Sequence, residues 1–246
     1  NLILIKLLFL GLVTGTLIGM VGIGGILLSP LLTYFLGIDL HLAMAVSSWS
    51  FLFTGIVGTI TYARKRSISW YMVCWLSIGI VPAAVLGAWA NTTLPTASLT
   101  IILSTLIIFS GLNALYRKPL TKNDNFELSK IQLVLIGLGV GFGSSFTGTG
   151  GPVLLVPILI FLDIPALIAI GVSQVIQLPI AIFASVGFGL YGKIDFELGT
   201  TIGIIQAIGV VFGAWIAHYI PSKQLYKIVA FTIIAVGLFL IEQTLF

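Results

Sequence analysis

Between Lys6 and Asp39 the chain carries no charged residue, and similar uncharged apolar stretches follow one another almost to its end. They lie at about residues 7–36, 41–62, 70–90, 97–116, 131–162, 166–190, 198–218 and 223–243. A hydrocarbon core about 30 Å thick takes roughly 20 apolar residues to cross as a helix. Each stretch is long enough. Transmembrane barrels show weak alternation in blocks of about ten residues instead, and none is present. Spans in lipid must satisfy their own backbone groups, so the sequence predicts an all-α integral membrane protein. Composition agrees. Of 246 residues, 59% are hydrophobic and 7% charged, too few charges to cover a water-soluble surface.

The formal charge of +4 does not point to nucleic acid, because the basic residues form short groups between spans: Arg64, Lys65 and Arg66, then Arg117, Lys118, Lys122 and Lys130. Such groups are orientation signals that mark the cytoplasmic side. The single cysteine, Cys74, lies in an apolar stretch and cannot form an internal disulfide. The first apolar run reads as a membrane segment rather than a signal peptide, since no small-residue cleavage site with a polar domain follows it.

Laid on itself with an offset of 126, the chain matches without a gap from Gly11–Leu115 to Gly137–Ile241, with roughly a quarter of positions identical. Gly22, Gly24 and Gly25 fall on Gly148, Gly150 and Gly151. Ala43, Val46 and Ser47 fall on Ala169, Val172 and Ser173. Gly87, Ala88 and Trp89 fall on Gly213, Ala214 and Trp215, Pro95 on Pro221 and Gly111 on Gly237. Apolar richness does not explain matched glycines, tryptophans and prolines, so the chain reads as a duplication. The first transmembrane repeat is residues 1–116, the linker 117–130 and the second repeat 131–246, with four segments in each half about a pseudo-two-fold axis.

The first run of each half, 7–36 and 131–162, is about 30 residues long and exceeds one straight crossing. A break at "GIGG" and at "GTGG" divides each into arms of about 15 and 11 residues. Glycine allows the backbone to leave helical geometry, and Pro152 suits the first turn of a helix that starts there. A helix start offers unpaired N–H groups and a positive dipole end, which together favour an anion. Gly11, Gly15, Gly19, Gly137 and Gly141 read instead as packing positions between helices.

If the glycine-bearing segments cross the membrane, the halves are parallel; if they are re-entrant hairpins, the halves are inverted. Either arrangement puts nine basic residues inside and two outside. The arm lengths favour hairpins and two anion cradles facing one another at mid-membrane. The linker is cytoplasmic in both.

All eleven Lys and Arg residues and all seven acids fall at segment ends or in the linker. His41 and His218 lie near ends and read as interfacial. The groups at depth are neutral: Ser47, Ser48 and Ser50; Ser173, Gln174 and Gln177; Thr147 and Thr149 beside the second break; and Asn113. Buried amides are costly to leave unpaired, so Gln174 and Gln177 should face the interior. The candidate substrate-binding residues are therefore Gly24, Gly25, Ser47, Ser48, Thr149, Gly150, Gly151, Ser173, Gln174 and Gln177. Trp49, Trp70, Trp75, Trp89 and Trp215 read as interface anchors or packing residues. No nucleophile with a positioned base is visible, so the chain does not read as an enzyme. No cofactor or metal is expected.

Two four-segment repeats, each opening with "G-x-G-G", continuing with "AVSS" or "GVSQ" and carrying "GAW" before a proline, resemble the TauE/SafE family of sulfite-exporter-like anion permeases over residues 11 to about 241. The resemblance implies an inner-membrane carrier of a small anion, sulfite or an organosulfur anion such as sulfoacetate or thiosulfate. It carries over by position onto Gly22, Gly24, Gly25, Ser47 and Ser48 in the first half, and Gly148, Gly150, Gly151, Ser173 and Gln174 in the second. Ser48 is replaced by Gln174 and Ile26 by Pro152, so the two sites are not identical. An anion channel and a carrier of other small organic anions are the alternatives. Membrane lipid is the expected surrounding partner, and association as a homo-oligomer is left open.

Overall fold

The computed structural model describes residues 2–93 and 128–245, with residues 101, 104, 105, 108 and 112 between them. Most of the 97–116 stretch and of the linker, Asn113 included, falls outside the described residues. Those described form nine helices and no strand: α1 (Leu2–Val21), α2 (Gly25–Leu36), α3 (Leu40–Arg64), α4 (Trp70–Thr93), α5 (Lys130–Thr147), α6 (Pro152–Phe161), α7 (Ala166–Tyr191), α8 (Phe196–Tyr219) and α9 (Ser222–Leu245). Seven are long and apolar enough to cross a membrane, and α2 and α6, of 12 and 10 residues, are the short exceptions. The first helix begins before the expected boundary and takes in Lys6.

Three helix starts outside the apolar depth, those of α3, α5 and α8, are capped by side chains. Asp39 accepts the N–H groups of His41 and Leu42 at 2.9 and 3.3 Å, Ser129 and Gln132 close a capping box at the start of α5, and Asp195 accepts Leu198 N–H at 2.9 Å. Each replaces a hydrogen bond that the first turn cannot make internally.

Polarity is arranged for lipid. Phe212, Ile208, Leu135 and Phe231 stand more than half exposed, while Gln174, Gln206, Asn91 and Ser47 are fully buried. A protein in water would gain nothing from exposing those rings. Lipid tails accept them without cost, and the amides find their partners within the bundle.

Two tight seams hold the bundle. In one, α1 lies against α8; in the other, α5 lies against α4. A Cβ at Gly15 or Gly19 would strike the backbone of Gln206 or Val210, and one at Gly213 the backbone of Thr16. In the second seam Gly87 meets the backbone of Phe142 and Gly137 that of Leu76. The packing role expected of Gly15, Gly19, Gly137 and Gly141 is therefore what the seams use. Between the seams, α3 and α7 pack on each other, α3 also on α8 and α2, and α7 also on α4 and α6.

The short helices turn back. The Lys6 ammonium, at the start of α1, lies 5.8 Å from the Phe35 ring at the end of α2, and Leu7 shares a core cluster with Leu32 and Leu36. The α1–α2 pair thus begins and ends at one end of the bundle. At the other end, Tyr71 reaches Leu128 just before α5, and Arg66 and Ser67 adjoin Pro165 and Ala166 at the start of α7. The α5–α6 pair begins and ends there. Arg64, Lys65, Arg66, Lys130, Lys223 and Lys227 collect at this second end.

The seams generate a contrast. Leucine at Gly213 should drive α1 from α8 and lower the unfolding temperature in detergent through a loss of about 1–3 kcal/mol or more. Alanine at Gly139, where an added Cβ meets nothing within 4 Å, should leave that temperature unchanged or slightly raised.

Candidate functional site

The two interruptions are built by backbone that only glycine adopts easily. After Val21 the chain passes through Gly22 at φ +78° and resumes helix at Gly25. After Thr147 it passes through Gly148 at φ +66°, then Gly150 and Gly151 at φ +80° and +96°, before α6 starts on Pro152. Side chains with a Cβ are strained in this left-handed region. Pro152 fits where it stands, because the first helical position has no intrahelical use for an N–H.

Both interruptions open onto one buried space. It is lined by Ile18, Gly22 and Gly25 from the first, Thr149, Gly150 and Pro152 from the second, and Phe51 of α3 and Gln177 of α7. The gap between these residues is too narrow to hold a water molecule. The Phe51 ring separates the two breaks: a Cβ at Gly25 would lie 2.8 Å from one edge of it, and one at Gly150 would lie 2.5 Å from another.

The polar wall is a relay of side chains. Thr54 donates to the Gln177 carbonyl oxygen at 2.8 Å, the Gln177 amide faces the Gln174 oxygen at 3.4 Å, and Gln174 donates to the Ile18 carbonyl at 2.8 Å. Thr147 and Thr149 share a hydroxyl contact of 3.0 Å on the other side.

The two kinds of freed helix end are treated differently. Freed carbonyls at the interrupted C-termini receive side-chain donors, Tyr62 OH to Gly19 at 2.7 Å and Asn91 to Phe146 at 2.6 Å, and Gln174 adds a second bond to Ile18, whose carbonyl already accepts Gly22 N–H. The N-termini of α2 and α6 begin at Gly24 and Gly151 and have no side-chain cap. Leu27 N–H turns to Gly24 O at 3.3 Å, Leu154 and Leu155 N–H both turn to Gly151 O, and Pro152 has no N–H. Gly25 and Ile26 of α2 and Val153 of α6 therefore carry the N–H groups without an acceptor among the described residues, at the positive ends of two dipoles. This space therefore offers hydrogen-bond donors in excess.

Of the residues expected from sequence, Gly25, Thr149, Gly150 and Gln177 line the space, and Gln174 stands directly behind Gln177. Gly24 instead packs against the backbone of Thr14 and Ile18, and Gly151 against Ile176 and Ile180. The serines turn to their own helices: Ser47 donates to Ala43 and accepts from Ser29, Ser48 donates to Met44, and Ser173 to Ile170. Bonding back to the i−3 or i−4 carbonyl is the usual resort of a serine in an apolar helix.

Sequence reasoning passed over Phe51, Thr54 and Ile18. Phe51 had a signal, standing 126 residues before Gln177. Gln206 had one too, since it is a buried amide like Gln174, bonded here to Thr14 at 2.9 Å. Asn91 lay one residue beyond the assigned end of its stretch. Trp49 turns away from the space, donating to Thr200 at 2.9 Å and packing edge-on to Phe196. His41 meets Asn91, and His218 meets Ser67, each at 3.0 Å and near opposite ends of the bundle.

Comparison with known proteins follows the same outline. Over its length the chain is 23% identical to a probable membrane transporter protein, YdhB, of Bacillus subtilis, across 92% of this chain and 96% of that protein. It is 24% identical to another, YjnA, from the same organism, across 96% and 99%. A probable membrane transporter protein of Methanocaldococcus jannaschii, MJ0441, is 28% identical across 85% of this chain and 78% of its own. No solved structure matches. The model of the family described as sulfite exporter TauE/SafE matches residues 7–240, and with seven helices able to span a bilayer this chain is a multi-pass membrane protein that belongs to that family.

Proposed function

We propose that the protein is a secondary transporter carrying a small anion, sulfite or an organosulfur anion such as sulfoacetate or thiosulfate, across the cell's inner membrane. The anion binds between the N-termini of α2 and α6, with Gly25, Gly150, Thr149 and Gln177 around it and Gln174 holding Gln177. The observation that carries this reading is the unequal capping: side chains satisfy the freed carbonyls of Gly19 and Phe146, while the N–H groups of Gly25 and Ile26 in α2 and of Val153 in α6 have no acceptor among the described residues. The relatives' names as probable membrane transporters and the family's description as a sulfite exporter agree with it.

The halves act as inverted repeats. The Gly213–Thr16 contact of one seam and the Gly87–Phe142 contact of the other are the same pair displaced by 126 residues, which supports a duplication about a two-fold axis in the membrane plane. Hairpins entering from opposite ends support inversion, and the basic end then faces the cytoplasm. In this conformation the space admits no water, so an anion enters it only once the two halves move apart, as a carrier with alternating access requires; an anion channel is the alternative reading.

Counterflow of radiolabelled sulfite into proteoliposomes tests the reading. Wild type should exchange sulfite, and Gly25→Leu and Gly150→Leu, checked for monodispersity, should not. Gln177→Leu keeps most of the side-chain volume and should raise the half-saturating sulfite concentration about tenfold, the cost of one lost bond to a charged ligand. If wild type exchanges none of sulfite, thiosulfate, sulfoacetate or simple carboxylates, the carrier reading fails.

The same assay reports on the apolar wall. Phe51→Leu should free space beside both breaks and shift competition toward the larger anions, sulfoacetate over sulfite. An unchanged order of preference would remove Phe51 from the site.

A further inference from the structure

A second cavity, of about 200 Å³, lies at the basic end of the bundle, well apart from the central space. Arg66 and Ser67, from the turn after α3, form one side. Pro165 and Ala166 at the start of α7 form another, and Ser222 and Tyr226 of α9 the third. No carboxylate is among its lining residues.

The polar groups here are mostly donors. Tyr226 is 7% exposed, and its hydroxyl oxygen accepts the Ala166 N–H at 3.1 Å. That leaves the phenolic proton without an acceptor among the described residues, on the wall of the cavity. Arg66 is exposed at the rim of the cavity, and its guanidinium, five donors on a planar fork, has no ion-pair partner among the described residues. Beyond the Ala166 N–H held by Tyr226, the Leu167 and Ile168 N–H groups of α7 lack intrahelical acceptors, and Pro165 caps α7 with no side-chain bond. A space of this size walled by an arginine, a buried hydroxyl proton and a helix start has the chemistry to hold an oxyanion.

We infer that this cavity is a second, peripheral oxyanion site at the cytoplasmic mouth, in which Arg66 and the Tyr226 hydroxyl hold the ligand against the start of α7. Helix α7 connects it to the central space. From Ala166 to Gln177 is about 16 Å along the axis at 1.5 Å per residue, so an anion held here stands one helix-half away from the proposed transport site. The site extends the proposed carrier function by giving the substrate a first stop. Its ligand is an oxyanion group, whether that of a free sulfur oxyanion or the phosphate of an anionic lipid.

Titration calorimetry on the purified full chain, in the Gln177→Leu background that weakens the central site, reads this cavity directly. Sodium sulfite and sodium sulfate are the free-anion probes, and nanodiscs of phosphatidylglycerol against phosphatidylcholine supply the lipid arm. Arg66→Gln should weaken binding about tenfold or more and Tyr226→Phe several-fold, with Arg66→Lys recovering part of the loss. Heat from the free salts identifies the free anion as ligand; their displacement by phosphatidylglycerol alone identifies the lipid phosphate. Binding indifferent to both substitutions, or no binding of either source, overturns the site. Transport failing in counterflow while Arg66-dependent binding persists would overturn the carrier function and leave this site standing.

Discussion

In a bilayer core there is no water to satisfy a freed N–H or C=O, and the organisation of this chain follows from that constraint. Two of its helices stop short and two restart at depth, so backbone groups are released where lipid could not tolerate them. They are tolerated because α3 and α7 cover them. Phe51 lies directly on Gly25 and Gly150, Tyr62 reaches the stranded Gly19 carbonyl, Gln174 reaches Ile18, and Asn91 of α4 reaches the stranded Phe146 carbonyl. The central placement of α3 and α7, and the concentration of polar side chains on them, are consequences of having to shield the breaks.

Closeness elsewhere serves the same end. The α1–α8 and α4–α5 seams bring backbone against backbone at glycines, which fixes the long arm of each hairpin to a full-length neighbour. With its long arm anchored, each short helix can start in mid-bundle without fraying into lipid. Dispersion across such close contacts is the main adhesive available where lipid tails are as apolar as the side chains they would replace. The glycines that break helices and the glycines that join them thus do complementary work from one residue type.

Much of this was legible in the sequence, and the reason differs by element. Helical spans declare themselves by length and apolarity, and the breaks by doubled glycines that recur 126 residues apart. Gln177 was legible because an amide in a span must be paired. Ser47, Ser48 and Ser173 bond to carbonyls of their own helices, and a serine that can satisfy itself this way carries no signal of a ligand by its presence at depth alone. Phe51 was obscured for the opposite reason: an aromatic ring in an apolar helix looks like packing, and only its position between two breaks gives it another meaning. Arg66 and Tyr226 come together from turns and helices 160 residues apart in the chain, a proximity that no local pattern encodes.

Under the proposed duplication, the most informative residues are those where the halves disagree. Phe51 and Gln177 occupy equivalent positions and line the same space, yet one wall is a ring and the other an amide; Gly25 lines it too, whereas its counterpart Gly151 packs against Ile176 and Ile180. A perfectly two-fold site would grip a symmetric ion equally from both sides. Here the hydrogen-bonding relay of Thr54, Gln177 and Gln174 lies on one side only, and Ile18, Phe51 and Pro152 supply an apolar remainder. An oxyanion bound between the helix starts would turn its oxygens toward α7 and leave its other face against Phe51. That geometry suits an anion whose two ends differ, one sulfur-oxygen group and one less polar part, better than an ion polar on every side, and it makes organosulfur anions the stronger candidates within the proposed class.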